Sequence, residues 1–188
     1  MNPIFAAALE IQDFCRARRW KFCFIGGVAV QRWGEPRLTQ DVDLTLLTGF
    51  GTEEAFVSML LADFRARRMD ARDFAARYRV LLLESGGGTP IDIALGAMPF
   101  EERAINRASD FTIGPGIVLF TCSAEDLVVF KAFAARDRDW LDIEGIALRQ
   151  GSRLDETLIW AELAPLLELK EDQLSAERLR RILQKARD

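Results

Sequence analysis

The chain has 188 residues, 49% hydrophobic and 29% charged, the composition of an ordinary globular protein of one domain or one and a half. A formal net charge of −4 argues against duplex nucleic-acid binding as its main business, because that mode is driven by neutralising phosphates. Histidine is absent, which excludes Ser-His-Asp and Cys-His catalysis and any imidazole metal ligand within the chain.

The pattern at 3–18, with Ile4, Phe5, Ala8, Leu9, Ile11, Gln12 and Cys15 at helical spacing, predicts an opening helix. A strand is expected at 21–25, then Gly26-Gly27 and a short helix at 28–33 stopped by Gly34 and Pro36. The next apolar run, 41–47, reads as a strand, and Thr52 as the cap of a helix through 62. Between 65 and 79 six arginines are interleaved with Asp70 and Asp73, which reads as a solvated face, with Phe74 and Tyr78 belonging to the core. Strands at 78–84 and 90–95 flank Ser85-Gly86-Gly87-Gly88-Thr89. No Gly-Lys-Ser/Thr follows the glycines, so they read as a hairpin turn and not a phosphate loop. A helix at 99–108 and short strands at 111–113 and 117–120 follow. From Ser123-x-x-Asp126, a capping-box pattern, the chain reads as helical to its end: 124–136, 137–149, 155–168 and 175–186. The expectation is a mixed α/β (α+β) core, 1–121, followed by a helical part, 122–188, packed on it.

The three cysteines, Cys15, Cys23 and Cys122, form no Cys-x-x-Cys pair and read as buried free thiols in a reducing compartment. No apolar run approaches the ~20 residues that span a bilayer, and no signal peptide opens the sequence, so a cytoplasmic protein with no membrane partner is expected.

Chemistry concentrates at Phe24-Ile25-Gly26-Gly27 and Arg37-Leu38-Thr39-Gln40-Asp41-Val42-Asp43-Leu44. Alternation on a strand points Asp41 and Asp43 the same way, roughly 7 Å apart along the backbone. Two like charges side by side need a cation, and oxygen ligands on a rigid strand suit Mg²⁺ shared with substrate phosphates. Gly26 and Gly27 let backbone approach a phosphate closely, and a following helix N-terminus favours the anion. In the C-terminal part, Lys131 sits in an otherwise apolar run, where it must snorkel, pair or reach a ligand such as phosphate. Arg138 and Asp142 are spaced for an i,i+4 pair.

The Gly-Gly turn, Arg37-x-Thr39-x-Asp41-x-Asp43-Leu44 and Pro90-Ile91-Asp92-Ile93-Ala94-Leu95 together resemble the DNA polymerase beta-like nucleotidyltransferase superfamily. Lys131-Ala132-Phe133-Ala134-Ala135-Arg136-Asp137-Arg138-Asp139-Trp140-Leu141-Asp142-Ile143 resembles its small prokaryotic branch related to AbiEii-type toxins. The resemblance covers roughly residues 20–150. It implies a nucleotidyltransferase sheet with flanking helices, and a Mg²⁺-dependent enzyme that moves a nucleoside monophosphate from an NTP to an acceptor hydroxyl. Asp41, Asp43 and Asp92 would be catalytic and metal-binding, holding two Mg²⁺ ions, with Mn²⁺ as a substitute. Gly26, Gly27, Arg37, Thr39 and Lys131 would bind nucleotide, and Asp139 would be an accessory acid. The acceptor would be RNA (tRNA in particular), a protein or a small molecule, and an antitoxin or regulator would be the partner of a toxin. The competing expectation is a non-catalytic nucleotide- or partner-binding module on the same fold.

Overall fold

The computed structural model describes residues 2–187. In chain order the elements are α1 (Pro3–Ala17), β1 (Phe22–Phe24), α2 (Gly26–Trp33), β2 (Val42–Leu47), α3 (Glu53–Asp63), β3 (Arg65–Ala66), α4 (Ala71–Tyr78), β4 (Val80–Glu84), β5 (Pro90–Gly96), α5 (Pro99–Arg107), β6 (Ser109–Gly114), β7 (Ile117–Thr121), α6 (Ala124–Ala134), α7 (Asp137–Gln150), α8 (Glu156–Lys170) and α9 (Gln173–Lys185). The fold is mixed α/β, as expected. Among the described residues no helix is long and apolar enough to cross a membrane.

The chain divides into two compact units. One comprises 1–28 and 38–122, the other 29–37 and 123–188, so the division passes through α2 after Val28. The first unit carries a seven-stranded sheet in the order β3-β4-β5-β2-β1-β7-β6. β2 is central, antiparallel to β1 and parallel to β5. β4 and β5 form the expected antiparallel hairpin, closed by Ser85 and Thr89: the Ser85 N–H donates to the Thr89 carbonyl at 2.9 Å, and the Thr89 N–H to Ser85 Oγ at 3.0 Å. Alternation along the strands buries one face. Val42, Leu44 and Leu46 of β2, Leu81 and Leu83 of β4, and Ile91, Ile93 and Leu95 of β5 join Phe24, Ile11 and Leu60 in a single apolar core. Asp43 and Asp92 therefore fall on the other, half-buried face.

α1 starts where Asn2 Oδ1 accepts the Ile4 N–H at 2.9 Å and Pro3 takes the first helical position. Its buried stripe includes Gln12, whose amide bonds across to β7, accepting from the Phe120 N–H and donating to the Val118 carbonyl. All three cysteines are buried, and none is joined in a disulfide.

In the second unit, Ser123 caps α6 by accepting the Asp126 N–H at 3.1 Å. α6 packs against α7, α8 and α9, burying Leu127, Val128, Trp140, Ile143, Leu163 and Leu179. The four helices match the four expected.

Several local expectations are corrected. Gly26 and Gly27 are not a turn ahead of α2 but its first two residues. β2 begins at Val42, which leaves Asp41 just before the strand. Thr52 precedes α3 without a side-chain cap bond, because its hydroxyl donates to the Thr48 carbonyl instead. The arginine-dense segment holds an edge strand, β3, and a helix, α4. Tyr78 is 55% exposed and not a core residue, since α4 buries only Ala71 and Ala75 and leaves its rings at the rim.

Candidate active site

Three carboxylates converge on the half-buried face of the central sheet. β2 and β5 pair in parallel with Asp43 directly opposite Asp92, which sets neighbouring backbones about 4.8 Å apart. Asp41, two residues before Asp43, projects to the same side. One oxygen from each of Asp41, Asp43 and Asp92 lies within 4.8 Å of the others. Such a cluster of like charges is costly unless a cation sits among it, and all-oxygen ligands of full negative charge fit a hard divalent ion. The surroundings fit as well, because space for the Asp43 carboxylate is built into the backbone. A Cβ added to Gly26 would lie 1.9 Å from Asp43 Oδ2, and Gly26 adopts φ +56°. Only glycine tolerates both the conformation and the approach. The Gly27 N–H points at the same oxygen from 3.4 Å, so the first turn of α2 faces the acid.

Thr39 orients Asp41. Its hydroxyl donates to Asp41 Oδ1 at 3.0 Å, with the Asp41 carbonyl at 3.1 Å. Gly27 makes room for it: a Cβ there would meet Thr39 Oγ1 at 2.3 Å. Each glycine of the pair thus clears space for one side chain of the Thr-x-Asp-x-Asp run. Arg67, which the sequence assigns only to a solvated face, forms an ion pair with Asp92.

The second unit holds the other expected residues. Lys131 is 4% exposed, so it is not a surface lysine of an amphipathic helix. Its Nζ donates to Asp142 Oδ2 at 2.6 Å and to Asp139 Oδ1 at 3.3 Å. Arg37 forks onto the same Asp142, Nε to Oδ1 at 2.7 Å and Nη2 to Oδ2 at 2.8 Å. Arg136 closes the far side, Nε to Asp139 Oδ2 at 2.7 Å. Burial alone would raise the Asp142 pKa, but hydrogen bonds from Arg37 and then Lys131 outweigh it and hold the carboxyl below its ordinary value. Sequence spacing offered Arg138 as the partner of Asp142, whereas the carboxylate is engaged by Lys131 and Arg37. The organising role of Asp142 was not legible, because its partners come from α6 and from the segment ahead of β2.

Two acids opposite one another on parallel strands of a central sheet, a third just ahead of the first strand, and a Gly-Gly helix start against Asp43 are the arrangement of a nucleotidyltransferase fold. The profile of the nucleotidyl transferase AbiEii toxin family, of type IV toxin–antitoxin systems, matches residues 15–188, and the chain belongs to that family. Among solved structures, an antigenic nucleotidyltransferase-like protein from Paracoccidioides brasiliensis is similar at 16% identity and a TM-score of 0.51, over 95% of this chain and 93% of that one. The lincomycin-bound lincosamide antibiotic adenylyltransferase LnuA is 14% identical over 75% of this chain and 94% of its own, at a TM-score of 0.47. The antibiotic-resistance factor ANT(2″)-Ia is 17% identical over 97% and 90%, also at 0.47. The first of these likenesses shows the fold. No curated protein sequence matches the chain.

Proposed function

We propose that this protein transfers a nucleoside monophosphate from an NTP to an acceptor hydroxyl, and that Asp41, Asp43 and Asp92 are its catalytic and metal-binding residues. The observation that carries the reading is the convergence of the three acids across β2 and β5. Mg²⁺, or Mn²⁺ in its place, would supply charge neutralisation for the triphosphate and for the entering and leaving oxygens, two ions being the expected number. In the transfer, the acceptor oxygen bonds to the α-phosphorus and the bond to the β-phosphate oxygen breaks, releasing pyrophosphate. Asp92, on the outer of the two acid-bearing strands, is the base nearest the acceptor and takes up its hydroxyl proton. Asp43 is braced by the start of α2, and Asp41 by the Thr39 hydroxyl. The Gly26–Gly27 helix start favours bound phosphate as it favours the Asp43 carboxylate. Arg37 and Lys131 are assigned to the nucleotide phosphates and Asp139 to an accessory role, with Asp142 holding both cations until phosphate competes for them. Residues 1–121 are taken as the transferase core and 122–188 as its helical C-terminal part.

Acceptors consistent with this chemistry are an RNA 3′ end (tRNA included), a protein hydroxyl or a small molecule. As a toxin, the protein would act in the cytoplasm on NTPs present there, opposed by an antitoxin or regulator encoded with it. The test is incubation with α-labelled or γ-labelled ATP and Mg²⁺, offering total RNA, total protein and small hydroxylated compounds separately. Label from the α position should enter one acceptor pool, and Asp92→Asn should keep nucleotide binding while losing most transfer. Release of inorganic phosphate alone, or wild-type transfer by Asp92→Asn, overturns the proposal. Binding of Mg²⁺-NTP with no transfer to any pool would return the protein to a non-catalytic nucleotide-binding module.

A further inference from the structure

Register brings one cation of the first unit into the acid site. β3 pairs with β4 as Arg65↔Glu84 and Ala66↔Leu83, and the Arg67 N–H extends the ladder by donating to the Leu82 carbonyl at 3.0 Å. Leu82 lies opposite Asp92 on β5, and Asp92 opposite Asp43 on β2. Residues opposite one another share a face of the sheet. Arg67, just past the end of β3, therefore continues the row that Leu82, Asp92 and Asp43 form across β4, β5 and β2. The Arg67 side chain reaches over Leu82, and its Nη2 pairs with Asp92 Oδ1. The two side chains are 28% and 30% exposed, so the pair is partly shielded from solvent. The neighbouring arginines turn elsewhere: Arg65 to Glu84, Arg68 to Asp70 and Arg72 to Glu54.

A guanidinium stays charged under all working conditions, so it leaves a carboxylate only when another cation outcompetes it. Three acids crowded together are the place where that competition matters. We propose that Arg67 is a positioning residue of the acid site: a tethered counter-ion that holds Asp92 in the metal-free protein and yields its oxygen to an arriving divalent cation. Arg67 thereby sets the metal concentration at which the three acids assemble around an ion, and keeps them from repelling one another before then. This rests on reading the acids as a metal site, and the experiment separates the two claims.

Nucleotide-free protein is titrated with Mn²⁺, following the signal of the free ion by electron paramagnetic resonance. Melting is followed in parallel in chelator and in saturating Mn²⁺. Arg67→Met keeps an unbranched stem over Leu82 and removes the charge. Its Mn²⁺ midpoint should fall about tenfold, the low end of what one charge-assisted contact is worth at a partly exposed site. Arg67→Lys should lie between, since an ammonium keeps the charge but loses the fork. In chelator Arg67→Met should melt below wild type, and saturating Mn²⁺ should close that gap. Asp92→Asn should weaken Mn²⁺ binding. If Asp92→Asn does so while Arg67→Met matches wild type or binds Mn²⁺ more weakly, the counter-ion role is overturned and the metal site stands. If Asp92→Asn leaves the titration unchanged, both fall.

Discussion

Replacing Asp142 by asparagine keeps the shape of the side chain and removes one charge from a balanced buried group. Lys131 and Arg37 carry two positive charges, and Asp139 and Asp142 two negative ones. Arg136 lies at the exposed edge, with 77% of its side chain in solvent. The substitution leaves one positive charge in excess. Arg37, whose side chain is 25% exposed, relieves part of this by turning toward water. Lys131, 5% exposed, has no such exit and retains Asp139 at 3.3 Å. The loss is that of a buried pair with one partner removed, and the mobility of Arg37 puts it at the low end, about 3 kcal/mol. With a urea dependence of about 2 kcal/mol per molar, the midpoint of the helical circular dichroism transition at pH 7 should fall by about 1.5 M. The pH dependence follows from the direction of the Asp142 shift. Its folded pKa is lowered, so its contribution is fully present above the unfolded value of about 3.9 and is lost as pH falls through the folded value. The gap between wild type and variant should be widest near neutrality and narrower at pH 3. A midpoint shift below about 0.3 M at pH 7, or a gap that widens on acidification, would refute the reasoning, since a buried network worth breaking at about 3 kcal/mol cannot hide inside so small a change.

Gly26→Ala should destabilise by about 1–2 kcal/mol from its left-handed backbone alone and also drive Asp43 out of place, so the melting-temperature gain from Mg²⁺ with NTP should vanish; a gain equal to wild type contradicts the packing of Asp43 on the helix start. Burial pushes the Cys15 thiol up to about 12, with Arg18 opposing more weakly, so at pH 8 it stays protonated. Cys23 and Cys122 are fully buried as well, so iodoacetamide should leave the native mass unchanged and modify all three cysteines after unfolding in urea, and rapid labelling of Cys15 in the native protein would place it outside the core.

The strands that carry the acids were legible because their composition has period two. Ile91, Ile93 and Leu95 alternate with Asp92 and Ala94, and Val42, Leu44 and Leu46 with Asp43, so a sequence reading assigns both strand and face. The helices after Ser123 were legible from length, period and the Ser123-x-x-Asp126 start. What stayed hidden was long-range. No local signal states that β5 lies parallel beside β2 with Asp92 opposite Asp43, and none carries Arg67 into that row from an edge strand of two residues. α4 was missed because a helix of eight residues that buries only two alanines leaves almost no apolar period to read. The i,i+4 spacing of Arg138 and Asp142 names a neighbour on one helix, while the charges that settle this buried carboxylate, Lys131 and Arg37, arrive from other segments.

The parallel pairing of β2 with β5 makes the cluster of three acids an all-or-none product of folding. Asp41 and Asp43 are translated long before Asp92, and a parallel partner cannot be reached by a tight turn. The β4–β5 hairpin forms locally and then has to dock along β2 in one register. A slip of one residue would send Asp92 to the apolar face and bring Ile91 or Ile93 opposite Asp43. A nascent, truncated or misregistered chain thus holds two of the acids without the third. On the catalytic role proposed for the three acids, synthesis would pass through no gradually strengthening intermediate: transfer would begin with the completion of that one non-local contact.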